Sequence, residues 1–313
     1  MTLRNRARSA RYLPHPFADH MLDFHTLDVF TETRFGGNPL AVVLAADGLN
    51  TRQMQTIARE FNLSETVFVL KATRADAAFR IRIFTPATEL PFAGHPTVGT
   101  ACLLAELGLA PQGEDVRFVL EENVGPVPVR VRREAGRCTY AELTTAVLPE
   151  RGPAPPPKAV LAAMLGLDES ALGDAAQVSC GVPYVLVPLR SPEQLAAIAF
   201  DVSVWREHLS HAWAHHVYVY ARGYEGEWKA RMFAPGSGVL EDPATGSAAV
   251  ALAGRFALDH PEADAHIVET IHQGLEMGRP SVLHIEADRV GGAVTAVRVG
   301  GHAVPVSSGQ LRV

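Results

Sequence analysis

Two stretches of this chain cannot form an ordinary surface helix. Thr97-Val98-Gly99-Thr100-Ala101-Cys102-Leu103-Leu104-Ala105 is small or apolar on every side, and so is Ala248-Ala249-Val250-Ala251-Leu252-Ala253. A helix with no polar face is stable only when protein surrounds it. Neither stretch approaches the roughly twenty residues that a bilayer span requires. Each must therefore lie at the centre of its own packed core. With 313 residues, 47% of them hydrophobic, the chain has the apolar material for more than one.

The flanks of the two stretches match as well. Phe84-Thr85-Pro86 precedes Gly94-His95 and the first stretch; Phe233-Ala234-Pro235 precedes Gly246-Ser247 and the second. Ten residues separate phenylalanine from glycine in one copy and thirteen in the other. Read as an internal duplication, this gives an α+β architecture of two similar domains, each wrapping strands around one buried helix. The two helix N-termini then face a shared cleft.

The rest of the pattern fits strands with few helices. Strands are expected at Phe24–Phe30, Leu40–Leu44, Leu63–Leu70 and Ala78–Phe84, the last alternating strictly. Asn50 or Thr51 can cap a helix over Thr51–Phe61, and Pro96 can occupy the first turn of one running to Leu107. Further strands are expected near 116–120, 127–132, 139–143, 184–187, 217–221 and 228–233, with helices over 158–165 and 192–198. Arg151-Gly152-Pro153-Ala154-Pro155-Pro156-Pro157 reads as a linker. The expected division is residues 1–20 as an N-terminal extension, 21–150 as one barrel-like domain and 151–302 as the second. A last strand near 303–313 is expected to return to the first domain. The extension carries four arginines, no acid before Asp19 and no apolar core of a signal peptide. The expectation is a disordered tail or an early start codon, with Met21 opening the ordered protein.

Charge and cysteines narrow the classes. A net charge of −6 without a basic run argues against a nucleic-acid surface, and no segment suits a membrane span. Three cysteines with no CxxC pair argue against a disulfide framework or a thiolate zinc site, so a reducing cytoplasm is expected. His208, His211, His215 and His216 have the spacing to share a helix face. No carboxylate or cysteine accompanies them in a metal-binding pattern, so a solvated or interface face is expected and no metal.

Paired helix starts have chemical consequences. Their first N–H groups lack intrahelical acceptors and carry partial positive charge. Two facing each other would grip an anion such as the carboxylate of a small substrate, and would stabilise charge developing beside it. Gly94 and Gly246 would let a ligand approach those amides. His95, Asp242 and Ser247 lie beside these ends. Alone, each is as readily a hydrogen-bonded cap as a working group, and Glu65 after Ser64 is ordinary by position.

Longer motifs are more specific. Asn62-Leu63-Ser64-Glu65-Thr66-Val67-Phe68 resembles the NLSET-x-F signature of phenazine-biosynthesis (PhzF-like) proteins, and Gly37-Asn38-Pro39-Leu40-Ala41-Val42-Val43 resembles their GNP-x-AVV segment. Arg82 to Pro86 with Glu89 to Pro96 is similar to IRIFTP-x-x-ELPFAGHP, and Glu241 to Ala248 to EDPATGSA. The blocks stand in family order between Phe24 and about Gly309. The resemblance implies a diaminopimelate epimerase-like fold, a homodimer and a cofactor-free isomerase of a small carboxylate, like trans-2,3-dihydro-3-hydroxyanthranilate isomerase. It implies Glu65 as the proton-carrying catalyst with Asp242 and His95 as catalytic partners, and Ser64, Gly94, Gly246 and Ser247 as substrate-binding residues. The related racemases and epimerases place a cysteine before each glycine; Ala93 and Thr245 stand there in this chain. A Glu65 carboxyl near its reference pKa of ~4.3 would start ionised at neutral pH. The competing readings are an epimerase or another isomerase acting on a different amino or hydroxy acid, and a non-catalytic metabolite-binding or scaffold protein.

Overall fold

The computed structural model describes residues 21–313. The expected N-terminal extension, residues 1–20, lies outside the described residues.

Each apolar stretch is the core of a buried helix. After α1 (Thr51–Phe61), helix α2 spans Gly94–Glu106, and every residue from Gly94 to Ala105 is buried. It starts two residues earlier than Pro96 suggested, because Gly94 and His95 already form its first turn. A proline at the third position loses no hydrogen bond there. Strands Met21–Val29, Gly125–Glu134 and Arg137–Thr144 wrap α2. Helices α3 (Lys158–Leu165), α4 (Pro192–Ala196) and α5 (Val202–His208) lie outside the strands, and α6 (Gly246–Asp259) repeats the buried arrangement. Strands Ala176–Ser179, Ala265–Gln273, Ser281–Val290 and Ala293–Gly301 surround α6. One continuous apolar cluster includes both buried helices.

The strands bring distant segments together. Asn38–Val43 runs parallel to Glu65–Leu70, with Leu40 opposite Glu65. The Asn50–Gln53 capping box starts α1, and Asn62 ends it in the left-handed conformation, φ 51°. That sharp exit turns the chain so that Glu65 opens its strand. The final strand, Ala303–Arg312, pairs antiparallel with Met21–Val29, and Ala293–Gly301 pairs with Arg137–Thr144.

Several features depart from the sequence reading. The strands of 265–301 lie beyond those expected, although burial alternates along Ser281–Val290 and Gly291-Gly292 forms a tight turn with φ 59° and 85°. The four histidines do not share a helix face. His208 ends α5, His211 and His215 lie beyond it, and His216 opens the strand His216–Arg222. Trp205 Nε1 donates to the His215 carbonyl at 2.7 Å, which folds the chain back after a helix of only two turns. Cys102 of α2 and Cys138 form one disulfide, with Cα atoms 5.6 Å apart; Cys180 is free and buried. The partners are 36 residues apart, so local cysteine spacing says nothing of their contact. No helix among the described residues is long and apolar enough to cross a membrane.

Candidate active site

The two buried helices meet end to end. A Cβ placed on Gly94 would lie 2.6 Å from Gly246 Cα, and one on Gly246 would lie 2.9 Å from Gly94 Cα. Carbon atoms rest about 3.5–4.0 Å apart, so only glycine fits at either position. The contact between the helix ends is a further reason for the two glycines. The missing side chains let the helix ends abut each other. The first-turn N–H groups of both helices are thereby gathered in one place.

A hydrogen-bonded belt ties the ends together. Asn38 Nδ2 donates to Asp242 Oδ1 and to the Ala244 carbonyl, both at 2.9 Å, from more than 200 residues away. Thr245 Oγ1 donates to Asp242 Oδ2 at 2.5 Å. Gln273 Nε2 donates to the Asp242 carbonyl at 2.7 Å, and its Oε1 accepts from the Thr245 N–H and the Tyr218 hydroxyl, each at 3.2 Å. On the neighbouring wall Ser247 Oγ and Tyr184 OH lie 2.6 Å apart.

Glu65 faces this belt. Its Oε2 lies 3.3 Å from His95 Nε2, and both atoms are buried without a hydrogen-bond partner. Burial pushes the Glu65 carboxyl well above the usual carboxylate range, and the negative charge of Asp242 adds to the effect. Burial also raises Asp242, to about 6, against the hydrogen bonds from Thr245 and Asn38 that favour its ionised form. Burial pushes His95 down to about 3, although a hydrogen bond to the Pro39 carbonyl works the other way. Asn38 Nδ2 lies 3.3 Å from His95 Nδ1, and Nε2 faces Glu65. Near neutral pH the histidine is uncharged. Asp242, held by two donors, is the more readily ionised carboxyl, and Glu65 has the higher proton affinity of the two. The ionised fraction of Glu65 is smaller than its reference pKa suggests, because its Oε2 is desolvated.

A cavity of about 90 Å³ collects Glu65, Asp242, Thr245 and Ser247 with Ala93, Tyr184, His216 and Ser237, among apolar side chains including Leu90, Phe92, Val182 and Met232. His95 contacts Glu65 from the buried side, while Ser64 lines a separate, adjoining groove with Arg59, Ser237 and Val239. The sequence reading missed Asn38, Thr245 and Gln273 as parts of the belt, and Tyr184 and His216 as cavity walls. Asn38 and Thr245 stood inside quoted motifs; nothing local marked Tyr184 or His216 as a wall of the site. Among the described residues no group of three or more His, Cys, Asp or Glu side chains is arranged to hold a metal ion. The arrangement suits proton transfer at a carbon beside a carboxylate: one buried carboxyl to carry the proton, and polarised amides to take the charge.

Comparison with known proteins bears on this geometry. The family model described as phenazine biosynthesis-like protein matches residues 27–309. An uncharacterized isomerase of Mesorhizobium japonicum is 47% identical, covering 91% of this chain and 96% of its own length. Trans-2,3-dihydro-3-hydroxyanthranilate isomerase of Pseudomonas aeruginosa is 37% identical, over 91% of this chain and 97% of its own. The crystal structure of the Bacillus anthracis phenazine biosynthesis protein of the PhzF family superposes with a TM-score of 0.83 at 25% identity, covering 94% of this chain and all of that one. The fold is the diaminopimelate epimerase-like one that the motifs implied.

Proposed function

The chain belongs to the phenazine biosynthesis-like family and is an isomerase of that family, and from this premise we propose that Glu65 moves a proton within a small carboxylate substrate without a cofactor. The observation that carries the proposal is the buried, partnerless Glu65 carboxyl in a cavity built where two helix N-termini abut.

The substrate carboxylate accepts hydrogen bonds from first-turn amides of α2 and α6, at Gly94 and His95 and at Gly246 and Ser247. Glu65, in its ionised form, removes a proton from one carbon. Its raised proton affinity holds that proton while charge spreads toward the amides, and the same carboxyl returns it to a second carbon within reach. Asp242 stays ionised through its Asn38 and Thr245 bonds and orients a polar substrate group. His95, neutral, holds Glu65 from the buried side, and Ser64 borders the approach. With Ala93 and Thr245 before the two glycines, the chain has no thiol pair to work on opposite faces of one carbon. This supports a shift between carbons over racemisation.

The substrate proposed is a small amino or hydroxy carboxylate of the kind named for the Pseudomonas relatives, trans-2,3-dihydro-3-hydroxyanthranilate serving as the first probe. The protein is proposed to act as a homodimer. Its domains are proposed to be 21–150 with the returning strand of 303–313, and 151–302. Glu65→Gln tests the reading: it keeps size and burial but cannot carry the proton, so turnover should fall by about 10²–10⁴-fold or more. Turnover at the wild-type rate refutes the role. In deuterium oxide, partial retention of substrate hydrogen at the new carbon supports a single carrier.

A further inference from the structure

Of the described residues that line the cavity, two carry a buried polar side-chain atom with no partner: Glu65 Oε2 and His216 Nδ1. Glu65 is accounted for by proton transfer. His216 is not. Buried polar atoms are almost always paired, and an exception inside a cavity points to a partner that arrives with the ligand.

The ring of His216 is held in place. Its Nε2 lies 3.0 Å from Ser237 Oγ, on the turn Pro235–Ser237. One face leans on the Tyr184 ring, with centroids 5.5 Å apart, and the His215 ring lies 4.3 Å away. Tyr184 in turn reaches Ser247 at the start of α6. A serine hydroxyl can donate or accept, so either tautomer of the ring keeps the Ser237 bond and Nδ1 is free to accept or donate. Nearby walls are apolar, formed by Leu90, Phe92, Val182, Met232 and Val239. A single polar atom on such a wall fixes which way round a ligand sits.

We infer that His216 is a specificity-determining residue whose Nδ1 hydrogen-bonds an oxygen substituent, hydroxyl or keto, on the carbon skeleton of the substrate. The inference rests on the cavity being the substrate site proposed above. It narrows the substrate class to carboxylates that carry such an oxygen. A ligand without it leaves Nδ1 buried and unpaired.

The test uses two stable carboxylates that differ only in the hydroxyl, anthranilate and 3-hydroxyanthranilate, with binding measured by calorimetry. Wild-type protein should favour the hydroxylated ligand by about tenfold, the scale of leaving one buried polar group unpaired. His216→Phe keeps an aromatic ring against Tyr184 and should bind both ligands alike. His216→Asn, which can place an amide near the Nδ1 position, should restore part of the preference. An undiminished preference in His216→Phe, or none in wild type, overturns the assignment. Binding of both ligands without preference overturns His216 alone. Failure of either to bind, together with Glu65→Gln turnover at the wild-type rate, overturns the parent reading with it.

Discussion

Replacing Gly94 by alanine tests the central geometric claim, that two helix ends in contact build the site. The new Cβ would stand 2.6 Å from Gly246 Cα, 2.7 Å from its carbonyl carbon and 2.9 Å from Ser247 N. All three atoms are backbone, so no flexible side chain can swing away. To restore carbon contacts of about 3.5–4.0 Å, the helix ends must part by about 1 Å. Gly94 has no positive φ, so alanine brings no backbone strain and the effect is steric. Overpacking of this kind costs about 1–3 kcal/mol, which lowers the midpoint of a chain this size by roughly 2–5 °C. The same ~1 Å displacement moves the amides off the substrate carboxylate and should cost about 10²-fold in kcat. Gly246→Ala is milder, its Cβ 2.9, 3.1 and 3.3 Å from the Gly94 and His95 backbone. Gly48→Ala, with nothing within 4 Å, is the control and should be silent. Scanning calorimetry with turnover of the probe substrate measures both effects. A Gly94→Ala protein with wild-type midpoint and rate, or a Gly246→Ala protein hit harder, refutes the reasoning.

Other outcomes follow from the same site. The acidic limb of the pH–kcat/KM profile reports ionisation of Glu65; Asp242→Asn removes the charge that raises it and should shift that limb to lower pH, whereas a shift upward contradicts the pairing. Asn38→Ala strips donors from Asp242 Oδ1 and the Ala244 carbonyl and should destabilise by about 1–3 kcal/mol per stranded group, read from urea midpoints; a change below about 0.5 kcal/mol removes the belt from the account. Glu122 is buried beneath the start of α2, its Oε1 2.6 Å from Thr97 Oγ1, and burial pushes it up to about 8. Between its unfolded value near 4.3 and that pH, the folded chain keeps a proton that the unfolded chain releases, so this group's contribution to stability falls as pH rises through the window. Glu122→Gln holds no such proton, and its stability advantage over wild type should grow by a few kcal/mol (~) from pH 5 to 8; a constant difference refutes the burial argument.

Much of the architecture was written in local sequence. The apolar stretches around Val98–Ala105 and Ala248–Ala253 could only be buried helices, and the Asn50 cap and Asn62 exit bounded α1 at the residues expected. Glu65, Gly94 and Asp242 stood in motifs long enough to be distinctive. These are properties of neighbours along the chain: periodicity, caps and contiguous signatures.

What folding alone decided was contact between residues far apart. Asn38 meets Asp242 across 204 positions, Cys102 meets Cys138, and His216 leaves an apparent helical cluster to line the cavity. Gly94 and Gly246 acquired their further reason only once each was found to occupy the space of the other's missing side chain. The proton affinities of Glu65, Asp242 and His95 belong to the same category, since burial sets all three. A sequence specifies which groups are present and how each segment curls; the distance between segments, and the water excluded from between them, exist only in the packed molecule.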